Sequence, residues 1–330
     1  MAILATEKVL TLDYWKPAEK IQVGDYVFNQ TGDLVKVTLV QKYRAENCYQ
    51  VTFNDHLTVS GDEKLNFPFE NHKYRCRVSL YKGRFKFRRP LGDITVEKLK
   101  DRPLKKVPGI RLISVPTAHP LKLPHQTLPI PPFVFGYWFF NRKLHNKMIF
   151  SKNRQEEIIQ RFKDCGYKVI VGHKTPNNER YFTVSPAIEL QLAPNVPTRI
   201  PNNYLLASEE QRIELLQGIL AAKSRQYSRQ KNIFRVSNKN LRLLVQVQSI
   251  IESLGSKTTL EHNQRCENYI LFFKSKLDLV PNQDLAKTKI QLGRRYPKLI
   301  EPLNPQSCVY IETEGKFNHI LVGEGFIPCR

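Results

Sequence analysis

The chain has 330 residues, 52 Lys and Arg against 30 Asp and Glu for a formal net charge of +22, and 41% hydrophobic residues with 18 Phe and 14 Tyr. That content excludes an intrinsically disordered chain, and the length leaves room for two cores. The sequence holds no apolar run long enough for a membrane span, no secretory signal after Met1-Ala2 and no Cys-x-x-Cys pair among its six cysteines at 48, 76, 165, 266, 308 and 329, so reduced thiols in a cytoplasmic or nucleoid-associated, non-secreted protein are expected.

The chain opens with short strands. Val23-Gly-Asp25 and Asn29-Gln-Thr-Gly-Asp33 punctuate them as turns, and Leu34 to Val40 alternates as a half-buried strand does. From Tyr74 to Arg89 basic and apolar residues alternate, which places Arg84, Lys86 and Arg88 on the cationic face of a predicted hairpin. A DNA-contacting surface and a solvated edge guarded by charge explain that face equally well. Pro131-Pro132 predicts a helix start, because proline fixes φ where no intrahelical N–H bond is required. A further helix is predicted over Arg154 to Gly166. Ser208-Glu-Glu-Gln211 is a capping-box pattern with acids in the first turn, opening a helix that runs through Gly218. Phe234 to Gly255 reads as strand, turn and helix; the helix carries Leu241, Leu244, Val245 and Ile251, is broken by Gln248, and stops at Gly255. His262 and Cys266 have a spacing that suits a metal, but no two further ligands accompany them, so no metal site is assigned.

Charge is concentrated in the last third of this pattern. No Asp or Glu occurs from Leu215 to Ile251, whereas Lys223, Arg225, Arg229, Lys231, Arg235, Lys239 and Arg242 all fall there. Such an excess attracts polyanions. Arg and Lys can meet phosphates or guanine edges, and the amides of Gln226 and Gln230 suit adenine.

The segments Leu128-Pro-Ile-Pro-Pro-Phe-Val-Phe-Gly-Tyr-Trp-Phe-Phe-Asn-Arg-Lys143 and Gln211-Arg-Ile-Glu-Leu-Leu-Gln-Gly-Ile-Leu-Ala-Ala-Lys-Ser224 resemble the two helices of a LAGLIDADG homing endonuclease. The resemblance implies close helix packing at Gly136 and Gly218, and a metal-binding acid five residues after each glycine. Here those positions are Asn141 and Lys223, and no Asp or Glu lies anywhere from Arg102 to Arg154. Family members use Mg2+ for phosphodiester hydrolysis, which needs hard oxygen ligands; with these two residues in place no cofactor is expected. Arg111 to Pro124 is similar to the approach segment in endonuclease-bearing inteins of phage large terminases, and Arg199 to Ser208 to the linker between the two repeats.

The flanks resemble an intein, or Hint, domain: Ala2 to Phe28 is similar to its opening and Cys308 to Pro328 to its last strands. Splicing in that family requires a Cys or Ser nucleophile, a His that polarises the scissile amide, and a terminal Asn. The matching positions are Ala2, Lys64 and Arg330. A methyl group cannot attack, and a lysine is a poor proton shuttle at neutral pH. Asn318-His319 sits several residues too early to be the cleavage pair, and Tyr14 stands where the family usually has Gly.

The fold expected is α+β: an all-β Hint-like domain built from both termini, residues 1–75 and 291–330, with a two-repeat LAGLIDADG α/β domain inserted at 128–290 and a basic connecting region at 76–127. The expected function is non-catalytic binding of duplex DNA by a degenerate intein-endonuclease that is not an enzyme, is a monomer by itself, and has no membrane partner. The DNA-contacting residues expected are Arg225, Arg229, Lys231, Arg235, Lys239, Arg84, Lys86 and Arg88. Two alternatives stand beside it: a maturase-like RNA binder, and a structural or interaction component of a phage or nucleoprotein assembly.

Overall fold

The structure, a computed structural model, describes residues 2–12, 14–71, 92–102, 104–107, 110–141, 147–149, 155–174, 180–194, 196–223, 225–228, 233–264, 266–275, 279, 293–315 and 319–330. For residues 14, 105–107, 110, 173, 174, 223 and 225–228 the description is of backbone alone. The architecture is α+β, with more strand than helix. The chain divides into two compact units, one of residues 1–122, 255–257 and 291–330, the other of residues 123–254 and 258–290.

The first unit is built on strands from both ends of the sequence. One 11-stranded sheet runs in the order Pro297–Leu303, Cys48–Phe53, Thr58–Asp62, Ala2–Leu4, Gln306–Thr313, Leu34–Ala45, Tyr26–Phe28, Lys8–Thr11, Ile320–Val322 and Ile327–Cys329, with Tyr14–Pro17 paired to Lys8–Thr11 off that path. Its central register sets Ala2 against Tyr310, Ile3 against Val309 and Leu4 against Cys308. Alternate residues Ile3, Val9, Val27, Val37, Val51, Val59, Val309 and Ile311 meet in one core. Fully burying such a side chain stabilises by roughly 1.5–3 kcal/mol before entropy is subtracted. A smaller sheet orders Arg294–Arg295, Ile113–Pro116, Asn66–Asn71 and Gly92–Thr95.

A segment without regular structure, residues 117–122, is strapped across this unit. His119 N–H donates to Gln30 O, Lys122 N–H to Gly32 O, and Lys122 Nζ lies 2.6 Å from Asp33 Oδ1. The receiving turn is self-tied, since Asn29 Oδ1 accepts from the backbone N–H groups of Thr31 and Asp33 at 3.0 Å each. Gly32 has φ +78, and a Cβ there would fall on the Pro120 carbonyl. Thr117 Oγ1 reaches the carbonyls of Gly255 and Gly293 at 3.0 and 3.1 Å. In the same unit, the buried Asp55 carboxylate meets both Arg295 at 2.9 Å and Lys257 at 3.5 Å.

The second unit holds helix α1 (Pro132–Asn141), α2 (Gln155–Asp164), α3 (Glu209–Lys223) and α4 (Leu241–Ser253), with short turns of helix at Ile188–Leu192 and Asn202–Leu205. Every residue of α1 is buried, as a helix apolar on all sides up to its last residue, Asn141, requires. Two antiparallel sheets accompany them, ordered Met148–Ile149, Arg180–Ser185, Lys168–Lys174 in the first and Arg225–Ser228, Ile233–Asn238, Asn268–Lys274, Thr258–Asn263 in the second. The helix ends follow local chemistry. Ser208 Oγ accepts Gln211 N–H while Gln211 Oε1 accepts Ser208 N–H, closing the capping box, and Asn240 Oδ1 accepts Leu243 N–H at the start of α4. Gly166 and Gly255 take φ +84 and +79 beyond α2 and α4, as a left-handed C-terminal stop demands.

The buried stripe of α4 differs from the expected one. Leu243, Leu244, Val247, Ile250 and Ile251 face the core, whereas Leu241 and Val245 are 38% and 39% exposed. The i, i+4 series from Leu243 excludes Gln248 and frees Gln246 to bond both N–H and C=O of Ile200. Arg212, on the first turn of α3, is fully buried and donates to Ala207 O, Ser253 O and Ser253 Oγ. Burial lowers its pKa to about 10.

Candidate nucleic-acid interface

Helices α1 and α3 pack at the two glycines. A Cβ on Gly136 would meet Leu215 O at 2.5 Å, and one on Gly218 would strike the Phe133 carbonyl, so only glycine lets these backbones approach as they do. Phe133, Tyr137, Phe162 and Phe182 fill the space beside the crossing with edge-on contacts of 5.5–6.3 Å among them.

Asn141 closes α1. It is 7% exposed and its Nδ2 donates to Ile149 O, a carbonyl that also accepts the Tyr137 hydroxyl at 2.7 Å. Turning the amide over would set two carbonyl oxygens against each other, so the bond fixes Asn141 as a donor here. Lys223 is the last residue of α3, described by its backbone. A neutral amide used as a donor and a lysine do not form the anionic oxygen set that a divalent cation requires, and the residues present do not fit Mg2+.

The second sheet has one face in the core, through Phe234, Val236, Leu271 and Phe273. Its other face is read from the register. Arg225 pairs with Arg235 and Arg235 with Phe272, while Ile233 pairs with Lys274. Cross-strand partners share a face. Arg235 and Lys274 therefore lie on the side away from the core, together with Glu261, which pairs with Ile270. Lys239 is exposed in the turn before α4. Arg229, Lys231, Arg84, Lys86 and Arg88 lie outside the described residues.

Lys274 was not among the residues expected to bind, because it follows the acid-free stretch. The run Ile270 to Phe273 is apolar throughout and gives no alternation, so only the strand register places Lys274 on this face. His262 stacks on Tyr269 at 4.6 Å, and Cys266 is exposed. Among the described residues no group of three or more His, Cys, Asp or Glu is placed to hold a metal.

In the first unit, Ala2 is buried on its strand, and Gly61 lies against its carbonyl. Asn66 and Arg330 exchange both backbone hydrogen bonds, at 2.8 and 2.9 Å. The turn Asp62–Leu65 joins these two contacts, but the Lys64 side chain is exposed. The backbone N–H of Lys64 is tied to Asp62 Oδ1 at 2.9 Å. His319 Nε2 lies 3.1 Å from Asp93 Oδ1, and this contact holds the Asp93 carboxyl below the usual range against the opposing effect of burial. No described helix is long and apolar enough to cross a membrane.

No protein-family model and no curated protein matches the chain. Among solved structures it is similar to the MchDnaB-1 intein at 20% identity and TM-score 0.20, over 21% of this chain and 53% of that one, so it spans about half the length of that intein. It is similar to I-DmoI in complex with DNA and Mn at 16% identity and TM-score 0.31, over 44% of this chain and 89% of that one. It is similar to the N-terminal LAGLIDADG domain of DUF199/WhiA at 11% identity and TM-score 0.35, over 49% and 83%. These three structures are an intein and two LAGLIDADG proteins.

Proposed function

We propose that this chain binds duplex DNA without cutting it and without splicing, as a degenerate intein whose Hint-like part comes from both ends and whose inserted LAGLIDADG-like part carries the DNA surface. The binding half of the reading rests on the face of the second sheet, where Arg235 and Lys274 take positions away from the core. The non-catalytic half rests on Asn141, whose amide is committed to Ile149 O at the position where the resembled helices carry a metal-binding acid. Ala2, Lys64 and Arg330 support the loss of splicing by their chemistry.

A fluorescence-anisotropy titration with random-sequence duplex DNA tests the reading, with structured RNA as competitor and magnesium present. Duplex binding that RNA displaces poorly, with the DNA recovered uncut, is expected. Preferential RNA binding favours the maturase-like alternative, and absence of binding at low salt favours a protein-interaction role. Cleavage by protein freed of contaminating nucleases overturns the non-catalytic reading. A ligated reporter, made when the chain is placed between two reporter segments, overturns the loss of splicing.

A further inference from the structure

Two of the cysteines meet where strands from opposite ends of the sequence come together. Cys48 and Cys308 are both free and 0% exposed, and they pack in one small cluster with Leu4, Ala45 and Leu303. Cys48 Sγ donates to Ala45 O at 3.5 Å, within the same cluster. The backbone brings them there from two sides. Cys48 begins its strand opposite Leu303 and Asp62, and Cys308 sits in its own strand between Leu4 and Tyr43. The remaining described cysteines are apart from this pair: Cys329 belongs to the main core of the first unit, Cys165 borders the core of the second, and Cys266 is exposed.

We propose that Cys48 and Cys308 are a modification site for a peroxide, which closes them into a disulfide tying the N-terminal strands to the C-terminal ones. One thiolate attacks a peroxide oxygen, giving a sulfenic acid and hydroxide, which takes up a proton to become water. The second thiolate attacks the sulfenic sulfur; the S–S bond forms and a second hydroxide leaves as water. Both sulfurs are oxidised and both peroxide oxygens reduced. Burial and the neighbouring Cys48 push the Cys308 thiol up to about 12, so this thiol stays protonated and unreactive while the cluster is closed. Access lies close by, because Glu46 and Asn47, immediately before Cys48, are exposed. Reaction is therefore expected to be slow in the closed state and faster when the Glu46-Asn47 turn opens.

The full chain is treated with hydrogen peroxide, quenched, and its thiols are titrated under denaturing conditions. The titre should fall from the six cysteines of the sequence to about four, with a mass loss of about 2 Da. A non-reducing peptide map should contain the Cys48–Cys308 cross-link. Cys48→Ser and Cys308→Ser should each keep their full remaining titre. The wild-type peptide map decides the matter even where a variant fails to fold. An unchanged titre in the wild type, a cross-link joining any other pair, or sulfinic acid at Cys48 or Cys308 in place of the bridge overturns the proposal.

Discussion

Asn141 differs from aspartate in one atom, and that atom is the donor that holds Ile149 O. In Asn141→Asp the donor is lost, and a carboxylate faces a carbonyl oxygen in a site 7% exposed. Leaving such a group unsatisfied costs about 1–3 kcal/mol, more when it is charged. Burial would raise the folded-state pKa of the new carboxyl above its unfolded value. The protonated acid can donate to Ile149 O, so the variant should approach wild-type stability in acid and lose it as pH rises through the raised value. Urea unfolding of both proteins across pH checks this. A deficit that is constant with pH would show that the side chain does not face the carbonyl. Arg212 makes a second case of donor chemistry. Its planar fork reaches Ala207 O and both Ser253 acceptors from one buried position, which a lysine ammonium cannot match. Arg212→Lys is expected to lower stability by about 1–3 kcal/mol, measured by the same unfolding curves.

Among the elements, what could be seen in the sequence is what local chemistry decides. The capping box at Ser208, the proline start of α1 and the glycine stops after α2 and α4 need only neighbours within a turn, and all appear where the residues put them. The buried stripe of α4 was harder to see, because the seven apolar residues between Leu241 and Ile251 fit two overlapping series, and tertiary packing chose the one through Leu243 and Val247. Asn141's partner was invisible for a related reason: Ile149 lies on a strand beyond the helix, outside helical periodicity. The strap over residues 117–122 left no periodic signal at all. Its anchor is a glycine whose importance comes from a carbonyl some 90 residues away in sequence. Gly32→Ala must shift Pro120 and adopt a left-handed φ that alanine disfavours, and should destabilise by roughly 1–3 kcal/mol. Thermal unfolding gives the magnitude, and amide exchange at His119 and Lys122, whose N–H groups bond the turn, should speed up. Protection unchanged at both amides would remove the strap from the account.

Across the whole molecule, the pairing of Ala2 with Tyr310 cannot be deduced from either strand alone, since each is a short apolar run with many compatible partners. Net charge is the opposite kind of property, fully legible from composition but silent about where it acts. The +22 balance would draw any polyanion to the surface, so binding by itself does not identify the face. Salt dependence does, because each phosphate contact releases counterions. If about 6–10 basic residues meet phosphates, log K against log salt should have a slope near −5 to −9. Arg235→Ala and Lys274→Ala, on the coreless face of the second sheet, should each reduce that slope by about one if their side chains contact phosphate. Lys8→Ala should leave it unchanged, since Lys8 is in the first unit and paired with Glu324 at 2.7 Å. A flat response in the parent chain would remove duplex DNA as the partner. A steep response that survives Arg235→Ala and Lys274→Ala together would keep DNA binding but move it off this sheet.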